Sequence, residues 1–284
     1  MARLVVDGMS VFKTLAGQAA MLDRGYAFSF LSQVTSAVKK LKPTGVDVCW
    51  EGGFKKRTEL LPDYKSSRVS SSQEVHDQRA ELQLLLCHLG VDQYVAPEHE
   101  ADDMIASLVN TRPGHHVIMS ADKDMLQLIR PTVSVFQKVR KAGVKSSREL
   151  ITHQNFQGKT GWLDPSTFLL AHCALGDAVD QIPKIPRVGE AVIHAYFLGM
   201  EIAPSKRQAL DDFYAGSEHY LLNRALIDLT QVGDLEHRVV EGIFSEGNAY
   251  HLLQEIGFAS LVDRFDTWVE PWAKVIADAD VPAV

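Results

Sequence analysis

The strongest constraint on how this chain can fold is its clustered acids. Glu100-Ala101-Asp102-Asp103, Asp122-Lys123-Asp124 and Asp177-Ala178-Val179-Asp180 are three dense groups, and Asp7 stands alone after the run Leu4-Val5-Val6. Carboxylates repel one another, so a fold that gathers this many must hold them against cations. They are hard oxygen donors suited to Mg²⁺ or Mn²⁺, and one such ion usually takes only one or two of them. The surplus points to two ions or more.

The hydrophobic pattern brings these acids to one edge. Arg3 to Asp7 reads as a short buried strand ending in a carboxylate, and Val46 to Trp50 as a second strand followed by Glu51. Between them, Phe28 to Leu41 has helical spacing, with Phe28, Leu31, Val34, Thr35 and Val38 on one face and Lys39 and Lys40 at its end. His116 to Ser120 is a third strand with Asp122 just beyond it, and residues 99–110 form a helix with Glu100 and Asp102 near its start. The fold class is therefore α/β, with a central, mostly parallel sheet flanked by helices. In such sheets ligands collect beyond the carboxyl ends of the strands.

At 284 residues with 46% hydrophobic and 23% charged, the chain is ordinary globular material for one large domain or two modest ones. Cys49, Cys87 and Cys173 are odd in number and far apart, without zinc-ligand spacing, and read as reduced core thiols. Asp7 interrupts the first apolar run and no segment approaches membrane-spanning length, so we expect a soluble, cytoplasmic protein, in the host cytoplasm if it is viral. A formal charge of −7 speaks against nucleic acid. Two bound divalent ions would bring it to about −3 and leave the basic residues as distinct local groups.

Gly52 to Ser72 is long, polar and basic, with Lys55, Lys56, Arg57, Lys65 and Arg68, and is expected to arch over the acids. Val133 to Gln137 followed by the basic stretch 138–145 predicts a hairpin with a cationic tip. Asp164 and Pro165 open a helix, and a domain boundary is expected near residues 159–161, giving a core over 1–160 and a helical region over 161–284. Ile182-Pro183-Lys184-Ile185-Pro186-Arg187-Val188-Gly189 is a turn between two helices, the second from Glu190 to Leu198, whose N-terminal N–H groups suit a phosphate. The remainder is expected to be mostly amphipathic helix.

Each motif has a plainer reading. Asp122 could simply cap a helix, and Asp177 and Asp180, three apart on one face of a helical turn, could be a solvated helix end. A calcium loop starting at Asp122 fails because its sixth position is Gln127. A phosphoryl-aspartate enzyme needs a second acid where Met9 stands. The histidines are scattered; His99 and His172 lie near acids but are not taken as ligands.

In order along the chain, Arg57 with Leu61-Pro62-Asp63-Tyr64-Lys65-Ser66-Ser67-Arg68, then Glu100-Ala101-Asp102-Asp103, Ser120-Ala121-Asp122-Lys123-Asp124 and Gly176-Asp177-Ala178-Val179-Asp180-Gln181-Ile182-Pro183 resemble the flap endonuclease and 5′-to-3′ exonuclease family, over about residues 3–230. That family includes the N-terminal domain of bacterial DNA polymerase I and stand-alone bacteriophage enzymes. The resemblance implies a PIN-like 5′ nuclease core with a basic arch (about 52–72) and a helix-hairpin-helix, or helix-three-turn-helix, motif (about 175–199). No polymerase domain follows, so the free-standing form is expected.

Carried over by position, Asp7, Glu100 and Asp102 would hold one Mg²⁺ or Mn²⁺, and Asp124, Asp177 and Asp180 a second. Asp122 would sit between them as ligand and catalytic group, with Asp103 supporting from behind. Lys65 and Arg68 would meet the scissile phosphate, and Arg57, Tyr64, Lys184, Arg187 and Gly189 would contact DNA. K⁺ at the helical hairpin is a further option. Glu51 stands where the family usually has Asp, which shifts that carboxylate by about one methylene; Lys184 and Arg187 replace usual glycines. The implied partner is DNA with 5′ ends, flaps or branched duplex, or an RNA–DNA hybrid, cut by a monomeric two-metal enzyme of replication or repair. Rivals are a non-catalytic binder of branched DNA and a related ribonuclease.

Overall fold

In a computed structural model, residues 2–14, 23–68, 71–139 and 147–279 are described. The chain begins with β1 (Ala2–Asp7), α1 (Gly8–Phe12), α2 (Gly25–Leu41) and β2 (Val46–Trp50). It continues through α3 (Lys55–Leu60), α4 (Gln73–His88), β3 (Asp92–Val95), α5 (Ala101–Thr111), β4 (His115–Met119) and a 3₁₀ segment, Lys123–Leu128. Next come β5 (Val133–Val139), β6 (Ser147–Ile151), α6 (Phe156–Thr160), α7 (Pro165–Leu175), α8 (Glu190–Phe197), α9 (Pro204–Tyr214) and α10 (Glu218–Ile227). β7 (Arg238–Val240), α11 (Glu246–Ile256), α12 (Ala259–Val262) and α13 (Phe265–Ala279) close it.

The strands form one seven-stranded sheet in the order β6-β5-β4-β1-β2-β3-β7. The five inner strands are parallel, and β6 and β7 lie antiparallel at the two edges. From β1 the chain builds outward through β2 and β3, then returns to place β4 on the other side of β1. That reversal opens a crevice at the carboxyl ends of β1 and β4, the usual ligand position in such sheets.

β1 is apolar from Leu4 to Val6 because both its faces are covered, as parallel strands require. Leu4 and Val6 face a core shared with α2, α4 and α11–α13, whereas Val5 faces α5, the 3₁₀ segment and α7–α10. Both cores therefore draw on residues before and after position 160. Trp272 of α13 is 1% exposed and donates its indole N–H to Thr35 Oγ1 of α2 at 3.2 Å.

Two local results differ from the sequence reading. α2 starts three residues before the expected Phe28, because Gln78 Oε1 of α4 accepts the N–H groups of Tyr26 and Ala27 at 3.1 and 3.4 Å. That cap comes from fifty residues away. β7 was read as part of a helical stretch, yet it pairs with β3 in the register Gln93↔Val240; three residues are too few to carry a strand period. The hairpin is present as β5 and β6; of its expected basic tip at 138–145, Lys138 and Val139 belong to β5 and the rest lies outside the described residues. No described helix is long and apolar enough to cross a membrane.

Candidate active site

Asp7 ends β1 and caps α1. Its Oδ1 accepts Ser10 N–H at 3.0 Å and its Oδ2 accepts the Ser120 hydroxyl at 2.6 Å. The same Ser120 Oγ accepts Asp122 N–H at 2.9 Å, which ties the turn after β4 to the end of β1. Gly8 is required here: a Cβ would come within 2.5 Å of the Trp50 ring and 2.7 Å of Cys49 O. Asp122 in turn accepts Asp124 N–H at 2.9 Å and opens the 3₁₀ segment. It is a cap and also lines the site.

Asp177 and Asp180 do not lie on a helical turn, as their spacing suggested. They lie in a loop closed by the bridge Asp177↔Ile182, where Asp177 Oδ1 accepts the N–H groups of Val179 and Asp180 at 2.7 and 3.3 Å. Gly176 permits the entry, with φ of +59° and no room for a Cβ, which would meet Pro183 O at 2.4 Å. A residue with no motif signal holds this loop: buried Asn223 of α10 donates to Cys173 O at 2.8 Å and Pro183 O at 2.6 Å.

The carboxylates line two adjoining chambers. One, of about 280 Å³, is bounded by Asp7, Glu51, Lys65, Arg68, Glu100, Asp102 and Asp122. The other is tight, about 40 Å³, and adds Asp124, Asp177, Asp180 and His172 to the shared wall of Lys65, Arg68, Glu100, Asp102 and Asp122. All eight expected metal-ligating carboxylates thus reach one locality. Glu51 belongs to it despite its extra methylene and accepts Ala101 N–H at 3.3 Å.

Burial in company raises the cost of ionising these acids. Desolvation, together with Asp122 and Glu51, pushes Asp7 up to about 6 against the hydrogen bonds from Ser120 and Ser10. Burial and neighbouring carboxylates, Asp7 for the first and Asp122 for the second, also drive Asp102 and Asp124 well above the usual carboxylate range. Asp124 Oδ1 is buried without a hydrogen-bond partner. Hard, crowded oxygen donors with an unpartnered oxygen fit a divalent cation.

Lys13 lines the larger chamber, and the cations paired with the site's acids come from the arch segment. Lys65, only 6% exposed, makes a close ion pair with Glu100 and stands 3.6 Å from Asp180, while Arg68 reaches Asp180 at 2.9 Å. Burial works against ionisation of Glu100, but Arg57 and Lys65 more than offset it and hold its carboxyl below the usual value. Among the described residues no three His, Cys, Asp or Glu side chains stand at metal-ligating spacing.

Two expected DNA contacts face inward instead. Arg57 grips Asp103 through both terminal nitrogens at 2.6 and 2.8 Å, reaches Glu100 at 2.8 Å, and donates from Nε to Leu226 O at 2.9 Å. Tyr64 is 4% exposed and donates its hydroxyl to Glu100 at 2.7 Å. Buried acids recruited these groups, a demand that local sequence does not display. Lys184, Arg187 and Gly189 remain exposed, and Arg187 keeps the left-handed φ of +61° that a glycine would adopt at no steric cost.

The pKa of Asp7 predicts a pH effect on the metal-free protein. A carboxyl raised to about 6 in the fold, from an ordinary value near 3.8, stabilises the native state fully below the lower value. That contribution is lost as pH rises through about 6. With EDTA present, Tm at pH 5.5 should therefore exceed Tm at pH 7.5. Asp7→Asn should raise stability at pH 7.5 by up to about 3 kcal/mol. Equal melting of the two proteins at pH 7.5 would refute the assignment.

Residues 4–161 match the family model described as 5′-3′ exonuclease, N-terminal resolvase-like domain. The chain is 27% identical over 290 residues to DNA polymerase I of Lactococcus lactis subsp. cremoris, covering 92% of this chain and 32% of that protein. It thus spans about a third of that relative's length. It is also 27% identical over 258 residues to a 5′-3′ exonuclease of Halalkalibacterium halodurans, covering 80% of this chain and 83% of that one. The solved bacteriophage T5 flap endonuclease, in a complex with DNA and metal ions, has a TM-score of 0.59 at 19% identity, covering 98% of this chain and 100% of that one. At that identity the likeness is one of fold. With more than half of its length matched by that model, this chain belongs to the 5′-3′ exonuclease family.

Proposed function

We propose that this chain is a structure-specific 5′ nuclease that hydrolyses DNA phosphodiesters at 5′ ends and at branch points carrying a 5′ single-stranded arm. The observation that carries the reading is the pair of acid-lined chambers sharing Lys65 and Arg68. Asp7, Glu51, Glu100 and Asp102 would hold one Mg²⁺ or Mn²⁺, and Asp124, Asp177 and Asp180 another, with Asp122 between. When bound, such ions lower the pKa of water and offset charge on the attacking and departing oxygens.

The chain's own groups do the rest. Lys65 and Arg68 project from the 52–72 segment to the boundary between the chambers, where they can exchange their carboxylate partners for the non-bridging oxygens of the scissile phosphate. Asp103 keeps Glu100 placed by accepting its backbone N–H at 3.0 Å and by fixing Arg57. Lys184 and Arg187, exposed on the turn before α8, would grip the duplex backbone without reading bases, so specificity follows shape. The products carry a 5′ phosphate and a 3′ hydroxyl. We assign the catalytic core to residues 1–160 and duplex binding to the hairpin within 161–284, with K⁺ as an additional ion at the hairpin and a monomer as the working state.

The test is cleavage of a 5′-labelled flap duplex and a matched blunt duplex with Mg²⁺ or EDTA, with Asp7→Asn as the control against contaminating nuclease. Short labelled products that require Mg²⁺ and the intact Asp7 are expected, and their lengths separate flap cutting from end trimming. Tight flap binding without turnover would instead leave a branched-DNA binder, and preferential cutting of the RNA strand in a hybrid would leave a ribonuclease.

A further inference from the structure

His172 was set aside as a ligand on sequence grounds, and the structure gives it a different standing. It lies in the last turn of α7, is 3% exposed, and lines the same tight chamber as Asp124, Asp177 and Asp180. Neither ring nitrogen has a hydrogen-bond partner. Nδ1 stands 3.3 Å from Asp124 Oδ1, itself a buried oxygen without a hydrogen bond. A buried imidazole with two unsatisfied nitrogens beside an unsatisfied carboxylate oxygen is costly unless something else occupies both.

The spacing indicates what. Donor atoms bound to one small divalent ion at about 2.0–2.2 Å are separated by about 2.8–3.1 Å on neighbouring vertices of an octahedron and by about 3.3–3.6 Å on those of a tetrahedron. The measured 3.3 Å matches the tetrahedral spacing and is a few tenths of an ångström longer than the octahedral one, while the pair makes no hydrogen bond. A small closing movement suffices to set the two atoms as adjacent ligands of either geometry.

We infer that His172 is a nitrogen ligand of the divalent ion held by Asp124 and Asp177, so that this second site is mixed nitrogen and oxygen rather than carboxylate only. The inference rests on the metal reading above. Imidazole suits the transition-metal ions, whereas Mg²⁺ prefers oxygen alone, so the site favours Mn²⁺ and Co²⁺ over Mg²⁺ more strongly than an all-oxygen site would. Phe168, whose ring centroid lies 5.7 Å from that of His172, backs the imidazole on the same helix.

The experiment is electron spin-echo spectroscopy of Mn²⁺ bound to the DNA-free protein, with the bound ions first counted from the loss of the free-ion signal. Wild type should show ¹⁴N coupling from a directly bound imidazole, and His172→Gln should lose that coupling while still binding an ion. Mn²⁺ affinity at this site should fall by about 10–100-fold in the variant, the range seen when groups that set a metal site are removed. Mn²⁺ that binds wild type with no ¹⁴N coupling would overturn the ligand assignment and leave the metal reading intact. Failure of wild type to bind Mn²⁺ at all would overturn both. Because the wild-type spectrum decides the matter, a variant that misfolds does not rescue the idea.

Discussion

Lys65→Ala is expected to slow single-turnover flap cleavage by about 10²–10³, the range for losing one positioned electrostatic stabiliser, and at the same time to tighten divalent-ion binding to the DNA-free protein. The two effects have one origin. Lys65 belongs to both chambers, its ammonium lies against Glu100, and it is within 3.6 Å of Asp180. Without DNA it answers the crowded acids together with Arg57 and Arg68, and an ion entering beside Glu100 must displace it. With DNA bound, the scissile phosphate offers it an alternative anion. An alanine removes both the competitor and the stabiliser. Calorimetric Mn²⁺ titration and rapid-quench cleavage measure the two halves. Weaker metal binding in the variant would show that Lys65 supports the site rather than competing for it, and an unchanged rate would remove it from the reaction.

The same residue shows where sequence reading reaches and where it stops. The acids were legible because charge clusters and strand ends are local patterns: Asp7 at the end of β1, Glu51 after β2 and Asp122 after β4 fall at one sheet edge on the sequence pattern alone. The doubly covered β1 was legible for the same reason. The segment 52–72 was legible only as basic. Whether a lysine points to solvent or into a nest of carboxylates depends on which acids stand opposite, and that is decided by the sheet order. Asn223, fifty residues beyond the carbonyl it holds at Cys173, lies outside any local window. His172 was visible as a residue near acids, but its missing hydrogen bonds belong to three-dimensional packing alone.

Arg57→Ala is expected to destabilise the metal-free fold by about 3–5 kcal/mol, the cost of removing one partner from a buried ion pair. Burial acts against the guanidinium charge, yet Asp103 and Glu100 outweigh it and lock the group in its cationic form. Its side chain is 11% exposed, and it joins three elements: α3, on which it sits, α5 through Asp103 at 2.6 Å, and α10 through Leu226 O at 2.9 Å. Truncation leaves Asp103 buried without its ion-pair partner and Glu100 with Lys65 alone. Lysine should recover little, because a single ammonium cannot reproduce the two-pronged contact with Asp103. Arg57→Ala combined with Asp103→Ala should be less damaging than the sum of the two changes, since the second removes the charge that the first strands. Urea unfolding of the four proteins in EDTA measures this directly. A loss below about 1 kcal/mol in Arg57→Ala, as expected of an exposed pair, together with weakened binding of flap DNA, would return Arg57 to the surface role its sequence suggested. A large loss that is partly relieved in the double variant would fix it as the clamp that holds the arch segment and α10 against the first acidic chamber.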